Sequence, residues 1–166
     1  MPAARRPARL GVRGQHGHIL GQIEVDWPGR LGGPRTRDQV RERLRIQATQ
    51  HARDGYTLWV WRELSSGELV GQIGLQPTEV EGVPAVEVGW SVAPERWDEG
   101  IATEAARASL AWGFERAALD EIVSFAMVDN AASLRVMEKL GMRYERDFPR
   151  AGIPHSLYRI RAADAR

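Results

Sequence analysis

The segment Pro94–Ala105 has the residue types best suited to binding chemistry. It reads Pro-Glu-Arg-Trp-Asp-Glu-Gly-Ile-Ala-Thr-Glu-Ala and lies where a predicted strand gives way to a predicted helix. The first turn of a helix has unpaired N–H groups and the positive end of the helix dipole, and small Gly100 and Ala102 let an anion approach it. The segment therefore predicts a pyrophosphate site, with an ordinary loop before a capped helix as the alternative. It is not a P-loop, because no Gly-Lys-Ser/Thr follows.

Asn130 is a second polar residue at the start of a predicted helix. Leu134, Met137 and Leu140 then fall on one helical stripe, and Gly141 is a stop signal. An asparagine N-cap stabilises a helix by about 0.5–2 kcal/mol, so its presence alone does not indicate a ligand. Its amide has a carbonyl oxygen for the helix and an NH2 group for a ligand, and both roles can coexist.

A capping box predicts the first clear helix, over residues 36–53. Thr36 and Gln39 have the spacing of this motif. The apolar residues that recur after them at the helical period are Val40, Leu44 and Ala48.

The remaining patterns predict strands and two further helices. Strands are expected over residues 56–63, 68–76, 85–92, 122–127, 142–148 and 156–160, and helices over 101–117 and from 129 to 140. The first three strands form an antiparallel series joined by tight turns. Gly89, inside the third strand, predicts a bulge or a close backbone approach. The helix from residue 101 has a face of small residues that can pack closely.

Composition bounds the class of protein. The 166 residues fit one domain with a sizeable core. The chain has no cysteine, which excludes disulfides, thiolate metal sites and cysteine nucleophiles and favours the cytoplasm. No apolar run approaches the roughly 18 residues of a membrane span, and no signal peptide is expected. His16 and His18 have no carboxylates nearby in sequence, so no metal site is predicted.

Charge is balanced overall but uneven along the chain. The net charge is +1, so no global field attracts nucleic acid or an anionic membrane. Ten arginines precede residue 46, against four acidic residues there. A weak contact with an acidic partner and an ordinary solvated surface are the two alternatives for this segment. Nucleic acid is not a favoured partner, and we expect a monomer or a homodimer.

The order of these motifs resembles the GNAT acetyltransferases. Trp97–Ala102 (Trp-Asp-Glu-Gly-Ile-Ala) resembles the family's pyrophosphate motif, Gln/Arg-x-x-Gly-x-Gly/Ala. Tryptophan in first place is common in the branch that looks like the ribosomal-protein N-terminal acetyltransferases RimJ and RimL. Asp129–Met142 resembles that branch's Asn-x-x-Ser…Glu-Lys-x-Gly-Phe/Met pattern. The resemblance covers about residues 36–161, so we expect an acetyltransferase domain over 36–166 after an atypical segment, 1–35.

The resemblance implies an α+β fold with acetyl-CoA as co-substrate. The sheet is expected to be mixed, mostly antiparallel and twisted, and flanked by helices. Its strands at 85–92 and 121–127 would lie parallel and splay around acetyl-CoA. The backbone near Trp90 to Val92 would then pair with the pantetheine arm as an extra strand. The residues that the resemblance places at acetyl-CoA are Trp90, Ser91, Val92, Trp97, Asp98, Glu99, Gly100, Ile101, Ala102, Thr103, Asn130 and Ser133.

The resemblance also implies catalytic roles for Glu87 and Ser133. Glu87 would act as general base on the acceptor amine, directly or through water, and half-burial against tryptophans would strengthen it as a base. The alternative is a strand glutamate with a cross-strand partner. Many family members have a tyrosine acid seven residues after the asparagine, where this chain has Met137. Ser133 is the replacement candidate, with a hydroxyl bonded to the first helical turn as the alternative.

Two departures from the family pattern bear on function. Asp98 and Glu99 stand where the family usually has Gly and Lys or Arg, beside the proposed phosphate site. Residues 1–35, with one strand signal over Gln22–Asp26, do not resemble the usual first strand and helix that help to wall the acceptor pocket.

From the resemblance as a whole we expect an enzyme that acetylates a primary amine of a protein N-terminus or a small molecule. The alternative is a non-catalytic acyl-CoA-binding module with a degenerate acceptor site.

Overall fold

A computed structural model describes residues 10–11 and 36–165, which form one seven-stranded sheet and three α-helices. The strands are β1 (Leu10–Gly11), β2 (Leu58–Glu63), β3 (Leu69–Val80), β4 (Val83–Val92), β5 (Glu121–Met127), β6 (Arg143–Arg150) and β7 (Ile153–Arg161). The helices are α1 (Arg37–Asp54), α2 (Ile101–Glu115) and α3 (Ala131–Lys139). No helix in this part of the chain is both long and apolar enough to cross a membrane. The strand signal over residues 22–26 lies outside the described residues.

The sheet has the order β1-β2-β3-β4-β5-β7-β6. Neighbouring strands are antiparallel except β4 and β5, which are parallel. The predicted α+β fold with a mixed, mostly antiparallel sheet is therefore confirmed. β3 is longer than predicted because its ladder with β4 continues to the tight turn at Glu81 and Gly82.

β4 and β5 separate soon after they meet. Their ladder has one register pair, Glu87 with Val123, whereas β3 and β4 pair along the whole length of β4. One residue further on, the buried Ser124 hydroxyl donates a hydrogen bond to the Val88 carbonyl at 2.9 Å. Beyond this bond no strand of the described chain pairs with that edge of β4. A gap therefore opens toward the C-terminal ends of both strands.

The main core lies on the face of the sheet covered by α2 and α3. The small face predicted for α2 does pack closely, since a Cβ added at Gly113 would lie 2.8 Å from the side chains of both Leu75 and Ile122. Burial of each large apolar side chain here contributes roughly 1.5–3 kcal/mol. The fully buried side chains of this core include Val70, Ile73, Leu75, Val88, Ile122 and Met137.

α1 lies against the opposite face and is held there by amide side chains. Its predicted capping box is present at Thr36. The Gln47 side chain is buried and its Oε1 accepts a hydrogen bond from Gln72 Nε2 at 2.9 Å. Gln50 Nε2 donates to the Leu75 carbonyl at 3.4 Å. This second face of the sheet is therefore polar where α1 crosses it.

Gly89 does not form the predicted bulge. The register between β3 and β4 is continuous, and Gly89 lies opposite Gly74. A Cβ added at Gly89 would make only ordinary contacts, the nearest at 3.6 Å, whereas one at Gly74 would lie 2.2 Å from the Thr57 carbonyl oxygen. The close backbone approach expected at Gly89 therefore occurs at its partner Gly74.

Candidate functional site

The first turn of α2 presents unpaired backbone donors. The helix begins at Ile101, as predicted, after Gly100 in the left-handed conformation (φ +82°), and no side chain caps it among the described residues. Its first helical hydrogen bond runs from the Glu104 N–H to the Gly100 carbonyl. The N–H groups of the first turn, including Ala102 and Thr103, therefore have no partner within the helix. A Cβ built at Gly100 would have no atom within 4 Å, so the space beside this turn is open.

Arg96 organises the loop that leads into this turn. Its Nε donates to Glu99 Oε2 at 2.9 Å, and its other guanidinium nitrogens lie 3.5 Å from Glu63 Oε1 and 3.7 Å from Glu68 Oε2. The hydrogen bond to Glu99 is the largest cause of a pKa raised above the usual arginine range, so the guanidinium is charged at any working pH. Asp98 lies between Arg96 and Glu99 in the sequence. Its φ is +61°, a conformation that is uncommon outside glycine.

Trp97 connects the same loop to the end of β4. Its indole Nε1 donates to the Val92 carbonyl at 2.9 Å, while 59% of the residue's surface stays exposed. One side-chain hydrogen bond therefore holds Trp97 of the motif against the C-terminal end of β4.

On the edge of β4 that faces the gap, Trp90 lies between two residues whose carbonyls already accept hydrogen bonds. The Val88 carbonyl accepts from Ser124, and the Val92 carbonyl accepts from the indole described above. Because backbone groups of alternate strand residues point to the same side, the N–H and C=O of Trp90 lie on this edge between them. Ser91 has its backbone directed at β3, where it pairs with Gln72.

Glu87 is buried on the α1 face of β4. It is 9% exposed, and its Oε2 accepts a hydrogen bond from Gln76 Nε2, directly across the β3–β4 ladder, at 3.0 Å. Its Oε1 lies 3.7 Å from the position of a Cβ at Gly89, so the glycine leaves room beside the carboxylate. The expected packing against tryptophans is wrong, because strand alternation puts Trp90 on the opposite face. The cross-strand partner that was the structural alternative is present.

The predicted residues of α3 follow the C-terminal end of β5, the strand on the other side of the gap from β4. Asn130 caps the helix, its Oδ1 accepting from the Ser133 N–H at 3.1 Å, and no described residue bonds its Nδ2. The Ser133 hydroxyl makes no hydrogen bond to the first helical turn, so that alternative is not seen. Met137, at the place of the family's tyrosine, is fully buried in the core.

The structure brings some of the predicted residues together and leaves others apart. Trp97 contacts Val92, but no described contact joins Ser133 to Glu87. Sequence reasoning missed Gln76, Ser124 and Arg96, whose roles depend on cross-strand register or on ion pairing that residue type alone does not indicate. In residues 36–165 no three His, Asp or Glu side chains converge as a metal site would require.

Comparisons with known proteins agree on one family. The family profile described as "Acetyltransferase (GNAT) domain" matches residues 15–143. The uncharacterized protein YkkB of Bacillus subtilis is 32% identical over 126 residues, covering 76% of this chain and 73% of its own. A putative GnaT-family acetyltransferase of Bordetella pertussis superposes with a TM-score of 0.72 at 27% identity, covering 80% of this chain and 82% of the other.

A more distant neighbour has the same fold. It is RimL, a ribosomal-protein acetyltransferase solved in complex with coenzyme A, with a TM-score of 0.63 at 16% identity over 77% of this chain and 74% of its own. The profile match covers more than half of the chain, and the splayed pair β4 and β5 and the uncapped first turn of α2 lie within it. The chain therefore belongs to the GNAT acetyltransferase family.

Proposed function

We propose that this protein is an acetyl-CoA-dependent N-acetyltransferase that moves the acetyl group to a primary amine by direct transfer. The observation that carries the proposal is the open edge of β4 at Trp90, between separating strands and joined through Trp97 to the uncapped first turn of α2. An extended chain with amide groups can pair with such an edge, and a pyrophosphate attached to it can bind a helix N-terminus. Acetyl-CoA has these two parts in this order.

The described residues fit this co-substrate. Gly100 leaves open space at the helix turn, Trp90 offers one donor and one acceptor to the pantetheine arm, and the NH2 group of Asn130 is available on the other side of the gap. Ser91 can contribute only its side chain, from the α1 face. The other residues proposed to contact acetyl-CoA are Val92, Trp97, Asp98, Glu99, Ile101, Ala102, Thr103 and Ser133.

The chemistry proposed for the site uses few side chains. Glu87 takes a proton from the acceptor ammonium, and the freed amine attacks the thioester carbonyl. Backbone N–H groups at the gap would stabilise the developing oxyanion. Ser133 or water then protonates the departing thiolate. The chain has no cysteine, so transfer does not pass through an acyl-cysteine intermediate. Holding both reactants in place supplies much of the rate enhancement.

We also propose a branch of the family, bounds for the domain and a cellular location. The tryptophan in the first place of the phosphate motif and the Asn130–Ser133 spacing support a RimJ/RimL-like branch, in which the acceptor is a protein N-terminus or a small-molecule amine. We assign the acetyltransferase domain to residues 36–166, and the family match from residue 15 supports a contribution from the end of the preceding segment. The cysteine-free composition supports a cytoplasmic location.

Two measurements on the wild-type chain test the function. Acetyl-CoA should raise the melting temperature by an amount that grows with ligand concentration. Release of CoA thiol should then appear when an amine is added, in a screen of N-terminal peptides, polyamines and aminoglycosides. Coenzyme A without an amine is the matched control, because it should stabilise the fold without turnover.

The outcomes separate the alternatives. No stabilisation at millimolar acetyl-CoA contradicts acetyl-CoA binding altogether. Stabilisation without thiol release from any amine class supports the non-catalytic acyl-CoA-binding module instead. Thiol release with one amine class identifies the acceptor.

A further inference from the structure

The loop before α2 contains more acidic side chains than a phosphate site would be expected to tolerate. Glu63, Glu68 and Glu99 all face the guanidinium of Arg96, whose side chain is only 14% exposed. The Glu99 side chain is 21% exposed, and Glu99 immediately precedes Gly100, the N-cap residue of α2. A carboxylate at this point acts on a bound pyrophosphate through an unfavourable like-charge interaction.

Arg96 is placed to offset that interaction. It bonds the Glu99 carboxylate at 2.9 Å, shorter than its separations from the other two carboxylates. The hydrogen bond both neutralises the carboxylate locally and draws it toward the β2–β3 turn, where Glu63 and Glu68 lie. The Glu99 carboxylate is therefore held by Arg96.

We propose that Arg96 is a positioning residue for acetyl-CoA binding, which acts by neutralising and holding the carboxylate of Glu99 beside the pyrophosphate turn. This inference rests on the proposed function, because it requires a pyrophosphate at the first turn of α2. It explains how the chain accommodates an acidic residue where the family usually has a basic one. Arg96 itself need not touch the ligand.

A charge-compensation series tests this role. Arg96→Met should weaken acetyl-CoA binding about tenfold at low salt, and KM for acetyl-CoA should rise far more than kcat falls. Glu99→Gln alone should tighten binding a few-fold, because it removes one negative charge beside the pyrophosphate turn while Arg96 keeps its positive charge. The double variant Arg96→Met/Glu99→Gln should return to within about threefold of wild type. Arg96→Lys should retain most of the affinity, because it keeps the charge.

Ionic strength gives a second readout of the same mechanism. The Debye length falls from about 10 Å at 0.1 M salt to about 3 Å at 1 M, so the ratio of Arg96→Met to wild-type KM should shrink toward one. Arg159→Met is the matched control, since Arg159 also bonds two carboxylates, Glu145 and Glu121, but on β7 and away from the loop. Its KM for acetyl-CoA should equal that of wild type at both salt concentrations.

The outcomes that overturn the inference differ from those that overturn the function. If wild type does not bind acetyl-CoA, the proposed function fails. If wild type binds and Arg96→Met binds equally well, only this inference fails. If the double variant is as weak as Arg96→Met, Arg96 acts only by tying the loop to the β2–β3 turn and the charge mechanism is wrong. Should Arg96→Met not fold, Glu99→Gln still decides, because unchanged or weaker binding at low salt contradicts the proposal.

Discussion

The gap-side edge of β4 and its α1 face contribute to the candidate site with different parts of the chain. On the side of α2 and the gap, the groups available to a ligand are mostly backbone: the N–H and C=O of Trp90 and the first turn of the helix after Gly100. On the side of α1 they are side chains, chiefly Glu87 and its partner Gln76. The first arrangement suits binding of a fixed ligand, and the second suits proton transfer.

A pyrophosphate bound as proposed would contact the backbone before α2, so it need not contact the side chains of Asp98 and Glu99. The charge of the Glu99 carboxylate is offset by Arg96. A site made of side chains differs, since a carboxylate base cannot be replaced without loss of the proton acceptor. Variants at the backbone site should therefore change the affinity for acetyl-CoA, whereas variants of Glu87 on the α1 face should change kcat.

Glu87→Gln should have the largest effect, and this effect should be on kcat. The amide keeps the size of the side chain but removes the proton acceptor, so kcat should fall about 10²- to 10⁴-fold while acetyl-CoA affinity is kept. The loss should shrink as pH rises, because an acceptor already deprotonated in solution does not need the base. Steady-state kinetics from pH 6 to 10 measure this, with exposed Glu115→Gln as control. Full activity of Glu87→Gln at neutral pH would mean that Glu87 is a structural residue and not the base.

Gly100→Ala should have the next largest effect, on acetyl-CoA binding. A non-glycine residue at φ +82° costs about 1 kcal/mol of stability and disturbs the turn, so the dissociation constant should rise about tenfold or more. Gly82→Ala is a matched control, because Gly82 has φ +84°, equally open surroundings and a place at the other end of β4. Calorimetric titration and thermal unfolding should show equal destabilisation but weaker binding only for Gly100→Ala. Equal binding by both variants would place the phosphate elsewhere.

Asn130→Asp should separate the capping of α3 by Asn130 from its contact with the ligand. The carboxylate can still accept from the Ser133 N–H, so stability should be unchanged, whereas KM for acetyl-CoA should rise several-fold through loss of the NH2 group and the added negative charge. Asn130→Ala should instead lose about 0.5–2 kcal/mol of stability. Urea unfolding and KM measured on both variants test this. An unchanged KM in Asn130→Asp would leave Asn130 as a cap only.

Ser133→Ala should have the smallest effect. A departing thiolate tolerates the absence of an acid better than an ammonium tolerates the absence of a base, so kcat should fall only about two- to five-fold. Stability should be nearly unchanged, because the hydroxyl makes no hydrogen bond to the described residues. Parallel kcat measurements with Glu87→Gln give the comparison. A loss as large as that of Glu87→Gln would make the helix side chain an essential acid.

The parts of the molecule that sequence patterns predicted well are those where backbone conformation constrains residue type. The capping box at Thr36, the helix start after Gly100 and the stop at Gly141 were all correct, because few residues satisfy those conformations. The antiparallel series β2, β3 and β4 followed from the turn signals, and the parallel pair β4 and β5 followed from the family resemblance. Positive φ and unpaired N–H groups are local properties, so one sequence suffices to indicate them.

The parts that were wrong or missed depend on contacts distant in sequence. The helical period suggested an apolar stripe in α1, yet Ala48 is exposed and Gln47 is the buried residue of that helix, because amides anchor it to β3. The pairing of Glu87 with Gln76 requires the β3–β4 register. The role of Arg96 requires the folded position of the β2–β3 turn. None of these is encoded within one local window.

The hydrogen bond between the Ser124 hydroxyl and the Val88 carbonyl holds β4 and β5 together at the closed end of the gap. This bond is buried and is made within the protein, without a ligand. A cleft preformed in this way loses little conformational entropy when it is filled, so more of the contact energy is expressed as affinity. Association can then proceed without waiting for strands to part, at a rate governed by diffusion and by the charges around the entrance.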